Sequence, residues 1–72
     1  MEDEDQDQSP LGHWGVMARA SNPPDKRGEV AVRIGHQSHR YEARSAKFVG
    51  VGVEVQVTEM HDDGSVTVAI ED

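Results

Sequence analysis

The chain contains no cysteine. That removes disulfide staples, thiolate metal sites and a cysteine nucleophile together, and it suits a reducing cytosol. Aromatic rings are scarce: Trp14, Tyr41 and Phe48 are the whole set. No apolar run approaches the ~20 residues that a membrane-spanning helix needs, and the acidic N-terminus has no signal-peptide character. Helical periodicity of useful length is missing, so Gly50-Val51-Gly52 has no helix behind it to form a phosphate loop. No serine sits in a Gly-x-Ser-x-Gly turn. Basic residues are missing from both ends, because none precedes Arg19 and none follows Lys47. These gaps set aside a disulfide scaffold, a helical membrane protein, a P-loop enzyme and a thiol or serine hydrolase.

What is present reads as one small β domain. A chain of 72 residues has a thin core, since about 60 residues bury only about 60% of their unfolded surface. Residues 1–8 hold five acids and no base. Residues 1–10 are expected to be a disordered acidic tail and 11–72 the folded domain. Val30, Val32 and Ile34 alternate with Glu29, Ala31 and Arg33, and Tyr41 and Ala43 alternate with Arg40, Glu42 and Arg44. Strict alternation marks strands with one buried and one wet face. Val53, Val55 and Val57 repeat the pattern, as do Val66, Val68 and Ile70, with an Asp-Gly hairpin signal between them. In residues 11–20, Trp14, Val16, Ala18 and Ala20 share one phase, and Trp14 is expected to lid the core. Phe48 is expected to anchor the barrel bottom. Residues 21–28, with two prolines, are expected to hold no regular element, and Gly28 to take a special backbone angle. Five short strands with almost no helix suit a five-stranded barrel of the OB or SH3-like type.

The net charge of −7 conceals a segregated distribution. All seven bases lie in residues 19–47, against three acids there. The wet face of the hairpin at 28–45 would show Arg33, Arg40 and Arg44, with His36 and His39 at its end. OB barrels bind single-stranded nucleic acid across this region. Stacking rings supply about 1–3 kcal/mol per base there, but Tyr41 falls in the buried phase. The acidity of the whole chain also argues against a dedicated nucleic-acid binder. The arginines, with Trp14 as an apolar anchor, therefore read first as a protein-binding face and second as a single-strand-binding one. Catalysis has no support: Asp62 and Asp63 read as turn formers, and His13, His36, His39 and His61 lack the convergence that zinc needs. No metal or other cofactor is expected.

The order and spacing of several short motifs resemble the soluble C-terminal domain of NfeD-like proteins. The matching pieces are Leu11-Gly12-x-x-Gly15 with Ala18, Gly28-x-Val30, Val32-x-Ile34-Gly35, Tyr41-x-Ala43-x-Ser45, Val51-Gly52-x-x-Val55-x-Val57 and Val66-x-Val68. The resemblance implies a five-stranded OB barrel that is not mainly a nucleic-acid binder. It implies a place beside membrane helices and an association with stomatin- or prohibitin-like membrane proteins. The motif glycines, Tyr41 and the valines carry over as structural residues. This sequence shows neither the membrane helices nor the protease domain of longer members. Its loop at 21–28 is longer than the family's usual turn. The expected location is the cytoplasm or the membrane periphery, and the expected partner a protein.

Overall fold

A computed structural model describes residues 9–23 and 25–70. Five strands follow in order: β1 (Trp14–Arg19), β2 (Gly28–Ile34), β3 (Gln37–Arg44), β4 (Glu54–Met60) and β5 (Val66–Ile70). They close into a barrel in the order β1-β2-β3-β5-β4. β3 and β5 are parallel, pairing at Ala43–Val66 and Arg44–Thr67, and every other pair is antiparallel. This is the five-stranded Greek-key barrel of the OB type. The expected tail at residues 1–8 lies outside the described residues. Of the two other residues assigned to it, Pro10 is buried, and the chain then runs along β4 through Gly12 N–H to Val57 O and Val57 N–H to His13 O.

Alternation places the core. Val30, Val32 and Ile34 on β2, Val55 and Val57 on β4, and Val66 and Val68 on β5 all turn inward with Met17, Ala43 and Val49. Tyr41 is half-buried against this cluster. Burying a valine or methionine stabilises by about 1.5–3 kcal/mol, and these small branched side chains fill a narrow barrel.

Several expectations change. Trp14 is not a core lid. β1 turns Gly15 and Met17 inward, leaving Trp14 37% and Val16 48% exposed. Gly15 takes the inward position because the barrel is tight there, and an added Cβ would stand 2.6 Å from the Ala31 carbonyl oxygen. Phe48 does not anchor the barrel bottom: it is 59% exposed, and its neighbour Val49 is buried. Val49 is fixed because its N–H and C=O both bond to Ser21, at 2.9 Å each. Nor is the 21–28 segment wholly irregular, since Asn22 and Lys26 exchange two backbone hydrogen bonds. Gly28 serves close approach rather than a left-handed angle, because a Cβ there would collide with the Arg19 carbonyl oxygen.

The Tyr-x-Ala-x-Ser motif ends in a tether. Ser45 Oγ lies 2.8 Å from Ser21 Oγ and donates to the Lys47 carbonyl at 2.7 Å. It joins the end of β3 to the two loops that follow β1 and β3. Two bulges shape the barrel. Ala18 is the extra residue of β1 opposite β2, and Thr58 that of β4 opposite β5. Such insertions sharpen strand twist and curl a sheet.

Candidate functional site

The outward faces of β4, β1, β2 and β3 form one continuous surface. Pairing aligns Glu54, Val16, Ala31 and Arg40 in a row across the four strands. A second row brings Gln56 beside Trp14 and Arg33 opposite Ser38. Trp14, Gly15, Val16, Ala31, Arg33, Ser38 and Glu54 line a shallow cleft of about 420 Å³. The floor is apolar and the rim is charged. Trp14 supplies a large rigid ring at low entropic cost.

The bases expected to make a uniform positive face are mostly matched by acids. Glu29 lies between Arg19 (4.0 Å) and Arg40 (3.9 Å), and Glu42 meets Arg27 at 3.3 Å. Glu29 and Glu42 are direct cross-strand partners. Like charges in that position repel, so the flanking arginines offset a local strain. Each exposed pair is worth little by itself, about 0–1 kcal/mol.

Asp63 is the hub at the other end of the hairpin. Its Oδ1 accepts the Ser65 hydroxyl (2.7 Å) and the Ser65 N–H (3.0 Å). Its Oδ2 accepts from Arg44 Nη2 (2.9 Å) and Arg27 Nη1 (3.2 Å). The two Ser65 bonds, followed by the two guanidiniums, hold this carboxyl well below the usual carboxylate range. The turn expected at Asp62-Asp63-Gly64 therefore also clasps the β1–β2 loop to the end of β3.

Of the six residues expected at the site, Trp14 and Arg33 share the cleft. Arg40 stands on the same face, one row away. Arg44, on the same outward phase, is drawn to Asp63. His36 is in the two-residue hairpin loop, exposed, and His39 pairs with Val32 on the opposite, inward phase. Sequence reasoning missed Val16, Ala31 and Glu54 in the cleft, and Arg27 in the clasp. Alternation alone would have supplied Ala31, which shares its phase with Arg33. Among the described residues no group of three or more His, Asp or Glu could hold a metal ion. The contact closest in form to a catalytic pair is His61 Nε2 to Thr67 Oγ1, at 2.6 Å. Glu59 approaches that same nitrogen, at 4.0 Å, whereas a triad carboxylate holds the ring through the other one.

Comparison with known proteins agrees with this architecture. The family model of the NfeD C-terminal domain matches residues 15–69. The solution structure of the soluble domain of the NfeD protein YuaF from Bacillus subtilis superposes with a TM-score of 0.69 at 24% identity, covering 97% of this chain and 80% of that one. No curated protein matches the chain. No helix among the described residues is long and apolar enough to cross a membrane. With a family match that runs from the start of β1 almost to the end of β5, on a barrel of the same fold, the chain belongs to the NfeD C-terminal domain family.

Proposed function

We propose that this domain is a non-enzymatic protein-interaction module that docks a stomatin- or prohibitin-like partner at the membrane periphery, through the outward face of β1, β2 and β3. The observation that carries the reading is the exposed Trp14–Val16 pair beside Arg33. An apolar floor with an arginine at its rim suits a partner surface that offers an apolar side chain and a carboxylate. The family resemblance supports the partner class, and the geometry of the cleft supports the face. Titrating the isotope-labelled chain with such a partner is expected to shift the amide signals of Trp14, Val16, Ala31 and Arg33. If those signals stay still while others move, the face is wrong; if none moves, the partner is.

The second reading is a single-strand nucleic-acid binder. Its support is the outward ring of Trp14, which lies on the same face as Arg33. Against it, Arg40 and Arg44 are matched by Glu29 and Asp63. This reading requires oligonucleotide binding that falls steeply with salt. No binding of mixed-sequence oligonucleotides at low salt removes it.

A further inference from the structure

We propose that the far end of β5 takes an extended segment of a partner protein as an added strand, one that carries alternate apolar residues and a carboxylate. β3 pairs with β5 only at Ala43–Val66 and Arg44–Thr67, because β3 ends there. Val68, Ala69 and Ile70 run on beyond it. The chain after Arg44 does not take over the pairing. Ser45 Oγ turns to Ser21 and to the Lys47 carbonyl, and Val49 gives both of its backbone groups to Ser21. A cleft of about 190 Å³ lies between, with Ser45, Lys47, Val49, Val68 and Ile70 in its lining. It shares no lining residue with the Trp14 cleft.

Strand register decides which backbone groups face this cleft. Val57 N–H donates to His13 and Val57 C=O accepts from Gly12, so Val57 addresses the β1 side. Successive residues of an antiparallel strand address opposite edges. Gln56 therefore addresses β5, and Ala69, directly opposite, answers across that ladder. The N–H and C=O of Ile70 fall on the other edge, where no strand stands beside them among the described residues. Side-chain burial agrees. Ile70 follows Val66 and Val68 in the inward phase, yet those two are buried and Ile70 is exposed. The inward phase is uncovered where β3 stops.

The occupant follows from the chemistry of this edge. An unpaired strand edge is a template for another extended backbone. Strand addition draws affinity from main-chain bonds and specificity from alternate side chains. Val49, Val68 and Ile70 offer apolar surface to one phase of the added strand. Lys47 is the one charged residue of the lining, and no carboxylate lies within 4.0 Å of it among the described residues. It is the counter-charge for an acid on the incoming segment. Two chains of net charge −7 repel each other, which favours a different protein over a second copy.

The probe is the peptide acetyl-Asp-Val-Thr-Val-Thr-Asp-amide, titrated into the isotope-labelled full chain to about 1 mM, the weak end of specific affinities. Without peptide, the Ile70 amide is expected to exchange with solvent faster than that of Ala69. With peptide, the Lys47, Val49 and Ile70 signals are expected to shift and Ile70 exchange to slow, while Trp14 and Arg33 stay in place. N-methylation of both valines, or of both threonines, removes the donors of one strand edge or of the other. One of these two peptides is expected to lose binding and the other to keep it. Lys47→Glu is expected to weaken binding about fivefold, the scale of an exposed ion pair. The absence of any shift at Ile70 overturns the proposal, as does equal binding of the two N-methylated peptides. Unchanged binding to the Lys47→Glu chain overturns the carboxylate. An Ile70 amide already protected in the free chain, or protected increasingly as protein concentration rises, means that this chain or a second copy covers the edge and overturns the partner. Shifts confined to Trp14 and Arg33 overturn it too and leave the Trp14 face standing.

Discussion

Arg33 and Arg44 stand on one hairpin and on the same outward phase, yet their surroundings differ. Arg44 is held by Asp63 at 2.9 Å, and that carboxylate also binds Arg27 and Ser65. Arg33 borders the cleft of Trp14 and Val16, with no carboxylate within 4.0 Å among the described residues. The difference teaches that a row of like charges is not one surface. One end of the hairpin closes the barrel's loops together, and the other borders the Trp14 cleft.

Substitutions can separate these two ends from each other and from the core beneath them. Met17→Ala should cost about 2–5 kcal/mol in denaturant unfolding, because Met17 is only 1% exposed and both ends rest on that core. Trp14→Ala should weaken partner binding by about 2 kcal/mol, the scale of a central hot spot, measured by calorimetry. A loss of binding on Arg44→Ala, with Trp14→Ala silent, would reverse the assignment of the two ends.

Asp63→Asn should lower the thermal midpoint and shift the amides of Arg27, Gly28 and Arg44, leaving those of Trp14 and Arg33 in place. Its pH dependence has a definite sign. The folded carboxyl is depressed below the unfolded value, so its stabilisation is fully present above the ordinary aspartate value of 3.8. That stabilisation is lost as pH falls below it, towards the folded value. The stability gap between the parent chain and Asp63→Asn should therefore be constant near neutrality and shrink below about pH 4. A gap that is independent of pH from 7 to 2 would mean that Asp63 is not held as the geometry implies. The smallest effect belongs to Arg33→Ala, whose stability should stay within about 0.5 kcal/mol of the parent. A larger loss would show that Arg33 also supports the fold.

Much of the barrel is legible in the sequence because its alternation is clean. β2, β4 and β5 each place two valines two residues apart on the inward phase, and the Asp-Gly pair marks the last hairpin. β1 is harder to read, since both of its phases contain apolar residues. Trp14 and Val16 oppose Met17 in phase, and the inward slot beside Met17 goes to Gly15. The tight approach of the Ala31 carbonyl, which lies in another strand, decides that choice. Phe48 and Val49 are adjacent and apolar, and the bonds from Val49 to Ser21 decide which is buried. Hydrophobicity alone favours the larger ring in both places, and closure of the barrel overrules it.

The sequence by itself determined a small five-stranded barrel, the segregation of its bases into residues 19–47 and the family to which it belongs. These follow from local rules of alternation, turn chemistry and motif order. Only the tertiary structure decided that Trp14 faces outward, that it shares a cleft with Arg33, and that Asp63 gathers Arg27 and Arg44. Those facts depend on contacts between residues far apart in the chain, set by strand register and bulges, and no short stretch of sequence encodes them.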